Sequence, residues 1–276
     1  MMNTAFQIND LECCYRAGRT VLHVPQLEIG KGKTVFLLGP SGIGKSTFIE
    51  AIGLMNDTMR DKAGTSVVFY DEKNGKRELK GSWKGDNDDL SHFRNRYYSF
   101  IFQHTNLMPN FTAGENMCIS RLIRGVPLAE AREEVLATME ELKLEPDIFY
   151  KKTTHLSGGQ RQRVAFVRAI TAEFEVLFGD EPTGNLDKDT AFRLMTILKN
   201  NLERHHRTAI IVSHDLDLAL HFADQIVLMT FTGENGERHG IIRPENVLEN
   251  KGGNWHDVDG GLLKNPAFFV NERMKQ

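Results

Sequence analysis

The chain is poor in cysteine, in clustered charge of one sign and in long apolar runs, and each shortage removes a class of protein. Its three cysteines, Cys13, Cys14 and Cys118, are odd in number and show neither a C-x-x-C spacing nor a ligand cluster. That argues against a disulfide framework or a zinc site. Adjacent Cys13 and Cys14 are expected to face opposite sides of a strand and to pack as small hydrophobes. No stretch approaches the roughly 20 apolar residues that span a bilayer. Residues Met1 to Gln7 lack the charged head and apolar core of a secretion signal, so the expectation is a chain made and kept in the cytoplasm. The 34 basic and 37 acidic residues, net charge −3, are scattered, and no basic run points to nucleic acid as a partner.

What is present is an ordinary globular composition and a set of phosphate-binding signals. With 40% hydrophobic and 26% charged residues over 276 positions, the chain can bury the core of one large α/β domain, or of a core domain with a subdomain inserted. The sharpest signal is Gly39-Pro40-Ser41-Gly42-Ile43-Gly44-Lys45-Ser46-Thr47, which fits G-x-x-x-x-G-K-[ST] between a strand-like run, Val35 to Leu38, and a helix-like one, Phe48 to Ile52. Glycines allow a tight turn whose N–H groups converge on phosphate oxygens. The helix beginning near Lys45 adds its N-terminal dipole. Lys45 supplies a point charge for β- and γ-phosphates, and the Ser46 hydroxyl is a hard ligand suited to Mg²⁺. A nucleoside triphosphate is the implied ligand.

The segment before this loop reads as antiparallel strands at 5–8, 11–15, 21–24 and 27–29. Tyr15 is either an adenine-stacking platform or a plain strand aromatic. Beyond the loop, 66–70 reads as a strand, Asn74-Gly75 as a tight turn, and 71–89 as an exposed hairpin or loop. An apolar strand at 97–102 ends at Gln103, where open α/β sheets bind ligands. From 104 to 156 the pattern is helical, with Leu128, Ala131, Val135, Leu136, Met139 and Leu142 at spacings of three and four. Ser157-Gly158-Gly159-Gln160 then opens a helix from Arg161 to Ile170. It is either a second anion cradle, surplus to one chain and serving a neighbour's nucleotide, or an ordinary serine cap. The strand Val176 to Gly179 ends in Asp180-Glu181, one carboxylate to hold Mg²⁺ and one to act as general base on water. A helix from Arg193 to Arg204 and a strand 209–212 follow. His214 at that strand's end either hydrogen-bonds a γ-phosphate or is structural.

Taken together, Gly39 to Thr47, Gln103, Leu156 to Gln160, Asp180-Glu181, Gly184 to Asp187 and His214 resemble, in order and spacing, the motif set of ATP-binding cassette (ABC) ATPases over about residues 5–230. Phe102 to Pro109, Gly114-Glu115-Asn116 and Gly184-Asn185-Leu186-Asp187 are similar to the lipoprotein-release, macrolide-export and cell-division cassettes. The resemblance implies a P-loop NTPase core, a mostly parallel sheet with helices on both faces. It also implies an N-terminal antiparallel β subdomain and an inserted helical subdomain at about 104–165, the whole cassette spanning 1–230 and a C-terminal extension 231–276.

The implied function is the ATP-hydrolysing subunit of a membrane complex, peripheral on the cytoplasmic face, with ATP and Mg²⁺ as ligands and permease-like subunits as partners. The alternative is a soluble cassette ATPase acting on cofactor-assembly or nucleic-acid machinery. By the resemblance, two copies face head to tail, so that Ser157, Gly158, Gly159 and Gln160 of one close on the ATP held by Lys45 of the other. Glu181 is then the base, with His214 and Gln103 as further catalytic groups. Ser46, Gln103 and Asp180 attend the metal, Asp187 communicates between sites, Tyr15 stacks adenine, and the helical subdomain docks coupling helices.

The C-terminal stretch lies beyond the motifs. Residues 225–229 read as a last core strand, 234–237 as a hairpin turn, and 249–261 as a flexible polar segment. Trp255, Leu262, Leu263 and Phe268 to Val270 are apolar groups that a solvated tail does not need. The expectation is that 255–270 packs on a dimer or partner surface, the alternative being its own domain.

Overall fold

Alternating buried and exposed side chains build the first two strands of the computed structural model, which describes residues 4–15, 18–71, 75–233 and 238–275. β1 (Thr4–Cys14) and β2 (Thr20–Gly30) pair antiparallel. Each was expected to be two shorter strands. The structure joins them through an irregularity: Pro25 has no N–H to give its neighbour, and opposite it Asp10 adopts φ 47 between the pairs Asn9↔Gln26 and Leu11↔Val24. Asp10 is there bonded to His23 at 2.8 Å and faces Lys62 at 3.4 Å, while Glu12 meets Lys62 and Arg60. Cys13 is buried and Cys14 half-buried. Burial pushes the Cys13 thiol up to about 12, so it is an inert packing group.

β3 (Thr34–Leu38) is buried throughout and leads through the glycine-rich loop into α1 (Lys45–Ile52). β4 (Ser66–Asp71) pairs with β1, and β5 (Gly75–Glu78) with β4. Asn74, half of the expected turn, lies outside the described residues. The stretch 71–89 is only partly loop. After β5 comes α2 (Asn87–Tyr97), whose Leu90 and Phe93 are buried, with Phe93 edge-on to Phe69 at 5.6 Å. Its polar first turn hid an amphipathic helix.

The chain divides into two compact units, residues 1–94 with 208–276, and residues 95–207. In the second, β6 (Tyr98–Ile101) is followed by α3 (Ala113–Ile123), α4 (Leu128–Glu141), α5 (Gly158–Ile170), β7 (Val176–Asp180) and α6 (Lys188–His205). β6 and β7 run parallel, with Phe100 stacked on Phe178 and Tyr98 edge-on to it. α4 buries Ala131, Val135 and Met139 of the three-four series against α3 and α5, whereas Leu128 at its start is exposed and Leu136 half-buried. α3 opens with a capping box between Thr112 and Glu115. Buried Asn116 closes the preceding loop by accepting from the Met108 N–H and donating to the Met108 and Thr112 carbonyls.

The first unit resumes with β8 (Thr208–Val212), α7 (Leu216–Phe222), β9 (Gln225–Leu228), β10 (Thr230–Thr232), β11 (His239–Ile241), β12 (Val247–Lys251), β13 (Asn254–His256) and α8 (Pro266–Met274). β3 lies between β8 and β9 and parallel to both. β12 and β13 extend that sheet antiparallel beyond β9. The other sheet runs β10-β11-β2-β1-β4-β5 and is antiparallel except where β11 lies parallel to β2.

The expected turn at 234–237 lies outside the described residues. Two expectations for the C-terminal stretch are corrected. Residues 249–261 are largely a β-hairpin: Asn250 pairs with Trp255, and Gly252 and Gly253 supply the positive φ of its turn. Trp255 and Val270 are buried within the chain's own unit, where α8 packs on α7 and β9, so the apolar tail groups at these two positions stabilise the chain itself. Trp255→Ala is accordingly expected to cost about 3 to 5 kcal/mol of stability, read as a lowered melting temperature of the isolated protein. A variant that melts like wild type would show that the indole stabilises nothing within the chain.

Candidate functional site

The first unit supplies a cradle for phosphate. β3 ends at Leu38 between two parallel neighbours, and the loop that follows turns with φ 74 at Gly42 and φ 107 at Gly44 before α1 begins. Both values lie where only glycine is unstrained. Ser41 and Gly42 are exposed, whereas Ile43 is buried. The Lys45 ammonium, itself buried, donates to the Gly39 carbonyl at 2.7 Å and the Pro40 carbonyl at 2.9 Å, spanning the loop's mouth. α1 has no acidic residue in its first turn, so its N-terminal dipole is left for an anion. Ser46 and Thr47 occupy that same turn. Tyr15 lies one residue past the end of β1, ring half exposed, with its hydroxyl 3.1 Å from the Thr47 hydroxyl. His214 follows β8 and is exposed. Beside it the Ser213 hydroxyl accepts the Asp215 N–H, and Asp215 caps α7.

The second unit gathers the carboxylates. Asp180 is the last residue of β7. Glu181 follows with φ 47, a left-handed conformation that costs a non-glycine residue on the order of 1 kcal/mol or more and persists only where its surroundings enforce it. They do so here. The Gly184 N–H donates to the Glu181 carbonyl at 3.1 Å, and a Cβ at Gly184 would come within 3.3 Å of the Glu181 carboxylate. Buried Gln162, on α5, donates to the Pro182 carbonyl at 2.6 Å and pins the turn from below. The Gln103 amide donates to Glu181 Oε2 at 3.3 Å. Thus Gln103, Glu181 and Gly184 converge.

Ser157 to Gln160 form the first turn of α5 and its cap. The Ser157 hydroxyl accepts the Gln160 N–H at 3.2 Å, and the Gln160 side chain accepts the Ser157 N–H at 2.8 Å. This satisfies the serine-cap reading, yet Gly158 is not explained by it. A Cβ there would meet nothing within 4 Å, so the chain's own packing does not require glycine at that position. Gly159 faces Leu186. Asp187 caps α6, and the Thr190 backbone N–H holds its carboxyl below the usual range.

The donors expected at the metal, a hydroxyl at Ser46, a carboxylate at Asp180 and an amide oxygen at Gln103, are all hard oxygens of the kind Mg²⁺ takes. One contributor escaped the sequence: Gln162, whose amide holds the Pro182 carbonyl.

The parallel strands around a phosphate loop define a P-loop ATPase of the cassette class, and the chain belongs to the ABC transporter family, whose model matches residues 22–184. A "Lipoprotein-releasing system ATP-binding protein LolD" from Alcanivorax borkumensis is 34% identical over 211 residues, covering 75% of this chain and 86% of that protein. The LolD of Bacteroides fragilis is 35% identical over 199 residues, 72% and 86% of the two chains. A "Macrolide export ATP-binding/permease protein MacB" from Vibrio parahaemolyticus is 34% identical over 230 residues, 82% of this chain but 33% of that longer protein. Among solved structures, a dimeric post-hydrolysis state of the ATP-binding cassette MJ0796 bound to ADP and Pi is similar at TM-score 0.68 and 28% identity. It covers 81% of this chain and 93% of that one. Among the described residues no helix is long and apolar enough to cross a membrane.

Proposed function

We propose that this ATPase works as a head-to-tail homodimer that closes around two ATP and drives conformational change in integral membrane partner subunits from the cytoplasmic face. The observation that carries the dimer is Gly158: a glycine in a helix's first turn that no neighbour in its own chain requires, beside an exposed Ser157. That combination suits close approach by a phosphate held on another copy. The membrane-partner part rests on the relatives, two named as ATP-binding proteins of a lipoprotein-releasing system and one as an ATP-binding/permease protein.

In this reading, Lys45 and the loop N–H groups from Gly39 to Thr47 hold the β- and γ-phosphates, and Tyr15 stacks the adenine. Ser46, Asp180 and Gln103 would hold Mg²⁺, which, when bound, neutralises charge developing on the phosphate oxygens. Glu181 takes the proton from the attacking water. Its fixed backbone and the Gln103 amide orient the carboxylate, so little reorganisation remains at the moment of reaction. His214 donates to the γ-phosphate, Ser157 to Gln160 of the opposite copy complete the cage, and Asp187 links the two sites. The helical part of residues 95–207 receives the membrane partner.

The test is purification of the full, tagged chain from its own cells in mild detergent. The expected result is a stoichiometric integral membrane protein and a complex whose ATP turnover differs from that of the chain alone. Co-purification of soluble cofactor-assembly or nucleic-acid proteins instead would overturn the membrane reading.

A further inference from the structure

The segment that follows β9 embraces the phosphate loop from two sides, and neither contact leaves room for a side chain. At Met229 the N–H donates to the Leu38 carbonyl at 2.8 Å, and the Met229 carbonyl lies 2.7 Å from where a Cβ on Gly39 would be. Past β10 the chain returns in β11, which pairs parallel with β2 through Gly240↔Leu22 and Ile241↔His23. There a Cβ on Gly240 would lie 2.1 Å from the Ile43 carbonyl oxygen and 3.1 Å from the Met229 sulfur. Real Cβ atoms do not come so close to a backbone oxygen, so the Ile43 carbonyl points at β11 because residue 240 is bare. The φ at Gly240 is not in the left-handed region, so backbone freedom does not explain this glycine. Its missing side chain does.

The consequence follows from peptide geometry. In a trans planar peptide the C=O and the N–H point in opposite directions, so fixing the Ile43 carbonyl toward β11 turns the Gly44 N–H away from it. We infer that Gly240 is a positioning residue of the nucleotide site: β11 holds the Ile43–Gly44 peptide in the orientation that presents the Gly44 N–H to the phosphates. Gly44 itself, with φ 107 and its neighbours Val21 and Leu22 on β2, has the conformational latitude to turn otherwise when that contact changes. β11 is therefore part of the phosphate-binding device, although it lies well beyond the loop in sequence. This rests on the reading of 39–47 as the ATP site.

The experiment compares Gly240→Ala and Ile241→Ala with wild type, each measured for ATP affinity by titration calorimetry, for KM and kcat, and for melting temperature without nucleotide. Gly240→Ala is expected to raise the ATP dissociation constant and KM by about 10- to 100-fold, the effect of losing one hydrogen bond to a charged group, with a much smaller change in kcat. Ile241→Ala loosens the same strand without pushing an atom at the loop, and is expected to lower the melting temperature while leaving ATP affinity within about twofold. Wild-type affinity in folded Gly240→Ala protein overturns the inference and leaves the phosphate-loop reading intact. Should Gly240→Ala not fold, a tenfold affinity loss in Ile241→Ala overturns it equally, since strand stability would then be the cause. Wild-type protein that binds no ATP removes the phosphate-loop reading and the inference with it.

Discussion

Glu181→Gln slows phosphate release by about 10²- to 10⁴-fold while nucleotide affinity stays near wild type, if Glu181 takes the proton from the attacking water. The substitution keeps the side chain's length and its reach to Gln103, and removes the proton-accepting charge. The backbone strain at φ 47 is also retained, so the variant changes chemistry more than shape. ATP-bound dimers then accumulate and are visible by size-exclusion chromatography in the presence of Mg²⁺ and ATP. Unchanged turnover would remove Glu181 from the catalytic role and leave its enforced conformation as a structural feature of the turn.

The second large effect is expected at Ser157. Ser157→Arg places a long cation on an exposed helix start whose neighbouring Gly158 faces open space. The capping contribution lost is about 1 kcal/mol, too little to unfold the protein, and the phosphate loop is untouched. Monomer nucleotide binding should survive and turnover should fall to background. Mixing with Lys45→Ala protein makes the test geometric. In a mixed head-to-tail dimer one composite site carries both defects and the other neither. Equal mixing makes half the dimers mixed, so about a quarter of wild-type turnover returns if sites fire independently. Mixed dimers demonstrated by cross-linking yet wholly inactive, while the intact composite site still binds ATP, would count against independent head-to-tail sites.

Contiguous local signals were the legible part of the sequence. The phosphate loop is contiguous, so its glycines, its lysine and its flanking strand and helix could be read together, and β3, α1, α4 and β7 stand where periodicity and apolar runs put them. Contacts between residues distant in sequence were not legible. Nothing at Gln162 announces that its amide holds the Pro182 carbonyl, because that bond depends on how α5 packs beneath the turn after β7. α2 was hidden by a first turn of Asn87, Asp88 and Asp89, polar residues that serve a helix N-terminus as well as a loop. The hairpin 247–256 was hidden by its glycines. Polarity and Gly-Gly signal flexibility only when nothing pairs the flanks, and here β9 pairs one of them.

The order in which the strands of the first unit arrive has a consequence for synthesis. β3 is flanked by β8 and β9, yet Thr34 pairs with Ala209, so the strand bearing the phosphate loop leaves the ribosome with neither neighbour in existence. At about 5–20 residues per second, those 175 residues of separation correspond to a wait of about 10 to 35 s, during which an apolar strand has no sheet to join. Residues 95–207, by contrast, are contiguous and can condense as soon as they emerge. The sheet that carries the phosphate loop is therefore completed only after residues 95–207 and β9 have been made, whereas β1 and β2 can pair long before it.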